Sequence, residues 1–189
     1  MLNLLKKQPK YNKINLGCGG NKLPGWTNYD AEVDISQPLP FGDNEVDFML
    51  AEHVVEHISF HEAYRFFEEC YRVLKPGGIA RILTPGIDRI WKYWTPEYGE
   101  LVKKGGFSDG SKADCLRAII FQHGHLAGWT EELLGIILRN VGFTVTYALP
   151  GESNHPELKD VDGHAKVIGA SANLIETIIA EARKPEPQS

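Results

Sequence analysis

Lys13-Ile-Asn-Leu-Gly-Cys-Gly-Gly-Asn21, followed shortly by Asn28-Tyr-Asp30, decides the reading of this chain. The first apolar run, residues 14–16, predicts a short buried strand that enters a glycine turn. A second strand then ends on a carboxylate. Glycines at 17, 19 and 20 permit positive φ and let a ligand press on the main chain with no Cβ in the way. An acid at the tip of the neighbouring strand is placed to accept from both hydroxyls of a ribose. A dinucleotide site needs a long helix after its glycines and an acid about 20 residues further on. Asp30 follows Gly19 too closely for that helix, and Pro24-Gly25 interrupts the interval. A nucleoside without phosphates fits better, and NAD is disfavoured.

Leu16-Gly17-Cys18-Gly19 resembles the first motif of class I S-adenosylmethionine-dependent methyltransferases. Further pieces agree in order: Leu39-Pro-Phe-Gly-Asp-Asn-Glu-Val-Asp47, Glu52-His-Val-Val-Glu-His57, Tyr71-Arg-Val-Leu-Lys-Pro-Gly-Gly78, and residues 138–143 before a late strand. Together they resemble the compact type-11-like branch and cover most of the chain. The resemblance implies an α/β fold: a Rossmann-like, mostly parallel sheet with an antiparallel last strand, here trimmed of its early helices. It implies S-adenosylmethionine as cofactor, with contacts from Leu16, Gly17, Cys18, Gly19, Asp30, Asp34, Ile35, Glu52 and His53. Asp34 and Ile35 would meet the adenine; alternatively Asp34 caps a turn before Pro38. With no length for helices between the first strands, the ligand is either more exposed or covered by another segment.

The chain of 189 residues with 42% hydrophobic content has room for one domain and a proper core. A net charge of −5 without basic runs gives no nucleic-acid or anionic-membrane footprint. Three scattered cysteines imply reduced thiols in a cytoplasmic protein, and Cys18 reads as a small filler. No apolar run approaches the ~20 residues of a membrane span. Residues 1–7 lack the marks of a signal peptide, and the ending from Lys184 reads as a frayed tail. A monomer or homodimer is expected.

Residues 46–51 suit a central strand buried on both faces. A helix follows from Ser59 or His61 to Leu74, with Tyr64, Phe67, Tyr71 and Leu74 on one face. Lys75-Pro-Gly-Gly78 punctuates the turn into a strand over residues 79–83. Residues 85–129, rich in glycine and aromatics, form a candidate substrate-capping insertion, or a satellite packed on the core. Thr130 caps a helix that runs to Asn140, with Gly142 just past its end. A strand over 143–149, a polar loop over 150–173 and a last strand over 176–182 complete the chain.

Methyl transfer needs the nucleophile and the methyl held in line, and a base where the acceptor is a hydroxyl or amine. His125 is the first candidate base and His123 the second, both before Gly128-Trp129; a helix-entry histidine is the plainer alternative. His53, Glu56 and His57, at i, i+3 and i+4, would share a helical face suited to a metal. Certain ubiquinone-pathway and small-RNA methyltransferases bind a metal through Glu-x-x-Glu-His here, but this chain has His53 in place of the first Glu. Most type-11-like relatives carry the Glu-His pair without a metal, so none is expected. Neither an Asp/Asn-Pro-Pro-Tyr/Phe run nor a Pro-Cys dipeptide is present, so the nucleobase-methylating classes are disfavoured. A small-molecule or saccharide acceptor is expected, methylated on oxygen or nitrogen, with no nucleic-acid or membrane partner. A non-catalytic S-adenosylmethionine-binding accessory protein is the alternative; a metal-dependent hydrolase would leave the glycine turn unexplained.

Overall fold

The computed structural model describes residues 11–187. The expectations for residues 1–7 and for the last two residues of the chain lie outside that range. Six strands form one sheet: β1 (Lys13–Leu16), β2 (Thr27–Tyr29), β3 (Val46–Glu52), β4 (Leu74–Pro85), β5 (Thr144–Tyr147) and β6 (Thr177–Arg183). Their spatial order is β2-β1-β3-β4-β6-β5. The first four are parallel, and β6 runs antiparallel to both of its neighbours. This is the expected mostly parallel, Rossmann-like sheet. The parallel strands all point their carboxyl ends, Leu16, Tyr29, Glu52 and Pro85, to one edge, where ligands of such sheets bind.

Helices α1 (Phe60–Val73) and α5 (Glu131–Val141) cover one face of the sheet. Ser59 starts α1 with a capping box: its hydroxyl accepts from the Glu62 amide, while the Glu62 carboxylate accepts from the Ser59 amide. The buried stripe of α1 is Ala63, Phe66, Phe67, Cys70 and Val73, so the expected face is rotated and Tyr64 and Tyr71 lie at its margin. Thr130 caps α5, and Gly142 ends it at φ 119°. Phe66, Phe67, Trp129, Leu134 and Leu138 pack there against Ile14, Leu16, Met49, Ile82 and Ala180. Truncating a ring such as Phe67 to alanine would cost about 3–5 kcal/mol.

Among the described residues no helix lies between β1 and β3, as the short spacing requires. No third strand follows β2 either: residues 31–37 are successive turns, with Asp34 accepting from the Ser36 amide and hydroxyl. The other sheet face is therefore covered by coil. Leu23 and Trp26, in the crossover from β1 to β2, pack with Leu50, Leu83 and Ile179, and so does Val161 from the long late loop. Arg81 pins that loop. Its buried guanidinium meets Asp162 and Glu181, each at 2.6 Å, and donates to the Glu152 carbonyl at 3.0 Å. The two carboxylates outweigh the burial that would otherwise lower its pKa, and raise it instead.

Lys75-Pro-Gly-Gly78 is part of β4 and forms an irregularity in its register: Val46 pairs with Leu74, and Phe48 already with Ile79. Lys184, the first residue of the expected frayed tail, is anchored. Its backbone amide donates to Gly78, and its ammonium reaches the Tyr71 and Leu74 carbonyls. The insertion after β4 holds three helices, α2 (Ile87–Tyr93), α3 (Pro96–Lys104) and α4 (Lys112–Phe121). The late loop ends in α6 (Ala165–Ile168) and α7 (Ala170–Glu176), the latter leading straight into β6.

Candidate active site

The glycine turn is shaped by side chains as well as by glycine. Gly17 sits at φ 63°, and a Cβ there would fall 2.0 Å from Val54 Cγ1. At Gly19 and Gly20 a Cβ would meet nothing within 4 Å, so open space lies over this stretch of main chain. Asn15, buried in β1, donates to the Asn21 carbonyl at 2.8 Å and to Asn28 Oδ1 at 3.1 Å, and Asn28 in turn holds Leu23 and Trp26. These asparagines fix both ends of the turn. Sequence reading missed Asn15; its one signal is a polar residue in an otherwise apolar strand. Asp30, exposed at the end of β2, accepts from the Gly19 amide at 3.3 Å.

A cavity of about 350 Å³ opens beside the turn, lined by Gly17, Cys18 and Gly20 on one side and by Glu52 and His53 at the end of β3. Its remaining wall is residues 163–167. Glu52 anchors that wall: it accepts from the Gly163 amide at 2.8 and 2.9 Å, from the His164 amide at 2.9 Å and from Asn21 Nδ2 at 3.2 Å. Burial and the Asp30 charge raise the Cys18 thiol pKa, in keeping with a filler. Leu16 is core, while Asp30, Asp34 and Ile35 stand outside the lining of this cavity. Main chain open at Gly19 and Gly20, the Asp30 carboxylate near the turn and Lys166 in the cavity lining leave room for a ligand that carries both polar and charged groups.

A second cavity, about 600 Å³, adjoins the first and shares His53 and His164 with it. His53, at φ 53°, holds Glu56 at 3.1 Å in an ion pair whose alignment is poor for a hydrogen bond. Burial opposes charge on His53, but Glu56 outweighs it and raises the imidazole pKa; burial likewise opposes charge on Glu56, and His53 pulls its pKa down. Thr84 donates to the other Glu56 oxygen at 3.1 Å. His164 meets Glu176 at 3.2 Å, and Tyr98 of α3 donates to Glu176 at 2.6 Å. Burial and then Glu176 raise the Tyr98 pKa, so it stays protonated.

His123 and His125 both line the second cavity, with ring centroids 5.7 Å apart. The His125 Nδ1 lies 2.6 Å from the Ile119 carbonyl; a carbonyl only accepts, so Nδ1 carries the proton and Nε2 is the free acceptor. Burial and then His125 lower the His123 pKa. The expected His53, Glu56, His57 stripe is not a helical face, because Val55–His57 is a single 3₁₀ turn and His53 precedes it. Glu56, His57 and His125 instead bring one donor atom each within 4.8 Å of one another.

Residues 21–82 match the profile of a family described as a methyltransferase domain. Among curated proteins none matches the sequence. A S-adenosylmethionine-dependent methyltransferase from Archaeoglobus fulgidus superposes with a TM-score of 0.54 at 14% identity, over 93% of this chain and 87% of that one. A chain of the complex between the Haloferax volcanii Trm112 methyltransferase activator and its methyltransferase partner gives 0.54 at 13%, over 95% and 84%. The [4+2]-cyclase SpnF gives 0.51 at 16%, over 93% and 75%. Such likenesses speak for the fold, and the cyclase shows that one fold serves different reactions. Fold and glycine turn define the class I methyltransferase architecture. The family match spans about a third of the chain, so residues 21–82 are similar to a methyltransferase domain within a chain that has the fold of a S-adenosylmethionine-dependent methyltransferase. Among the described residues no helix is long and apolar enough to cross a membrane.

Proposed function

We propose that the chain is a S-adenosylmethionine-dependent methyltransferase that methylates an oxygen or nitrogen of a small molecule or saccharide bound in the histidine-lined cavity. One observation carries this reading: that cavity adjoins the cavity beside the glycine turn, and the two share His53, His164 and Val167 as wall. S-Adenosylmethionine supplies an activated methyl group, and the chain's own work is to hold the acceptor in line with it. Asp30 grips the ribose, and Gly17, Cys18 and Gly19 let the ligand lie against the main chain. Asp34 and Ile35 border the adenine from the turns after β2. Helices α3 and α4 form the cap, offering Leu101, Val102 and Ile119 as apolar wall. That face excludes water from the reacting atoms.

The acceptor's proton goes to the His125–His123 pair. Nε2 of His125 is the atom with a lone pair to receive it, and His123, with its lowered pKa, is neutral at pH 7. Buried thiols at Cys18, Cys70 and Cys115 suit a reducing compartment, and we place the enzyme in the cytoplasm.

Calorimetry with S-adenosylmethionine and S-adenosylhomocysteine, followed by a screen of hydroxyl and amine acceptors, tests this reading. Binding of both ligands and turnover that falls about 10²–10⁴-fold in His125→Ala, with cofactor affinity kept, is the expected result. Cofactor binding with no turnover on any acceptor would favour the accessory-protein reading.

A further inference from the structure

We propose that residues 161–167 are a strap that stands in for the missing early helices, and that Lys166 on it holds the methionine carboxylate of S-adenosylmethionine. The inference rests on the cofactor assignment and is independent of the acceptor. Three observations carry it. Between β1 and β3 the chain builds no helix, so one face of the sheet and one side of the glycine turn lack their own cover. The late loop supplies both: Val161 packs on Leu50, Leu83 and Ile179, and residues 163–167 wall the cofactor cavity. Attachment is specific rather than a loose contact. Asp162 is locked to buried Arg81, the Gly163 and His164 amides donate to Glu52, and Asn21 Nδ2 donates to the Val161 carbonyl at 3.0 Å.

Gly163 is the closest approach. A Cβ there would stand 2.4 Å from Asn21 Cγ, so at this point the strap meets the turn with bare backbone. The cavity's charge balance then selects Lys166. Glu52, the one carboxylate in the lining, already accepts from the strap and from Asn21. Lys166 is the only lysine or arginine in that lining. Its ammonium has one distant neighbour, Asn21 Oδ1 at 3.5 Å, which leaves it able to turn to an anion. The cofactor's only anionic group is its methionine carboxylate, and an ammonium–carboxylate hydrogen bond is of the strong, charge-assisted kind.

Calorimetry with two probes separates this role from mere support. S-Adenosylhomocysteine carries the carboxylate, whereas 5′-methylthioadenosine keeps the nucleoside and thioether without it. Lys166→Ala is expected to weaken S-adenosylhomocysteine about 10- to 100-fold and leave 5′-methylthioadenosine unchanged. Lys166→Arg is expected to restore most of the affinity. Equal losses for both probes, or no loss for S-adenosylhomocysteine, would overturn the assignment of Lys166. Hydrogen exchange at the Gly163 and His164 amides reads the strap itself, and is expected to slow when S-adenosylhomocysteine binds. Exchange that ignores the ligand would overturn the closure. Wild-type protein that binds neither probe would overturn the cofactor assignment beneath both.

Discussion

His53 and His164 lie ring against ring, centroids 3.7 Å apart, at the boundary of the two cavities. They reach that point from the end of β3 and from the late loop. Each is tied to its own carboxylate, His53 to Glu56 and His164 to Glu176. Tyr98 on α3 completes the second pair. The contact thus joins α3, the late loop and the end of β3 through one polar chain.

Protonation of His53 makes stability depend on pH in a stated direction. Glu56 raises the His53 pKa above its ordinary value of about 6.5, so its contribution is complete below that pH and is lost as pH rises through the folded-state value. Glu56 runs oppositely: its lowered pKa gives a contribution present above about 4.3 and lost as pH falls through the folded-state value. The thermal midpoint is expected to be highest between these limits and to decline on the alkaline side. Glu56→Gln should flatten that decline. An unchanged alkaline slope in the variant would separate it from this pair.

Removing the Asp30 carboxylate should weaken S-adenosylhomocysteine by about 10- to 150-fold, corresponding to roughly 1.5–3 kcal/mol for a charge-assisted hydrogen bond. Because Asp30 also accepts from the Gly19 amide, the thermal midpoint of Asp30→Ala without ligand should be measured alongside. Full affinity in a folded variant would take Asp30 out of the site.

Gly17→Ala tests the turn's internal packing. The new methyl would fall 2.0 Å from Val54 Cγ1 at a positive φ, so overpacking and strain act together. A loss of about 1–3 kcal/mol is expected from the overpacking alone. Gly20→Ala faces open space and should leave unliganded stability within about 0.5 kcal/mol, while its effect shows in cofactor affinity. Chemical denaturation of the two variants makes the comparison.

Arg81→Met should be the most damaging single change on the coil-covered face. It strands Asp162 and Glu181, whose side chains are 3% and 5% exposed, without their cation. Breaking a buried pair in this way costs about 3–5 kcal/mol. Urea unfolding of Arg81→Met measures the loss, and a triple change that also neutralises both acids should recover much of it.

Added chelator is expected to leave the affinity for S-adenosylhomocysteine unchanged, because the Glu56, His57 and His125 donors line the second cavity and not the first. A drop in affinity on chelation would link the donor cluster to the cofactor.

Legibility in the sequence followed locality. The turn at Gly17, the carboxylate at Asp30, the Ser59 and Thr130 caps and the Gly142 stop depend on neighbours within a few residues, and their signals are written there. The three helices after β4 were hidden because each is short, and Gly105, Gly106 and Gly110 between α3 and α4 read as loop. The histidine stripe was misjudged because helical spacing does not hold in one 3₁₀ turn, so His57 meets His125 while His53 turns to Glu56. Asn15 and the docking of Gly163 on Asn21 depend on partners brought together only by the fold. No local pattern announces a contact between residues 21 and 163.

That contact also bears on how the protein is made. The glycine turn emerges early in synthesis, but its covering segment emerges about 140 residues later, together with the β6 strand that fills the sheet. A pairing so distant in sequence is slow to form and comes late in folding. A nascent or truncated chain ending before Val161 carries the turn and Asp30 yet lacks the wall that retains the ligand. With the proposed strap as that wall, ligand binding waits on synthesis of residues 161–167, and the ligand stabilises only a chain that already carries them.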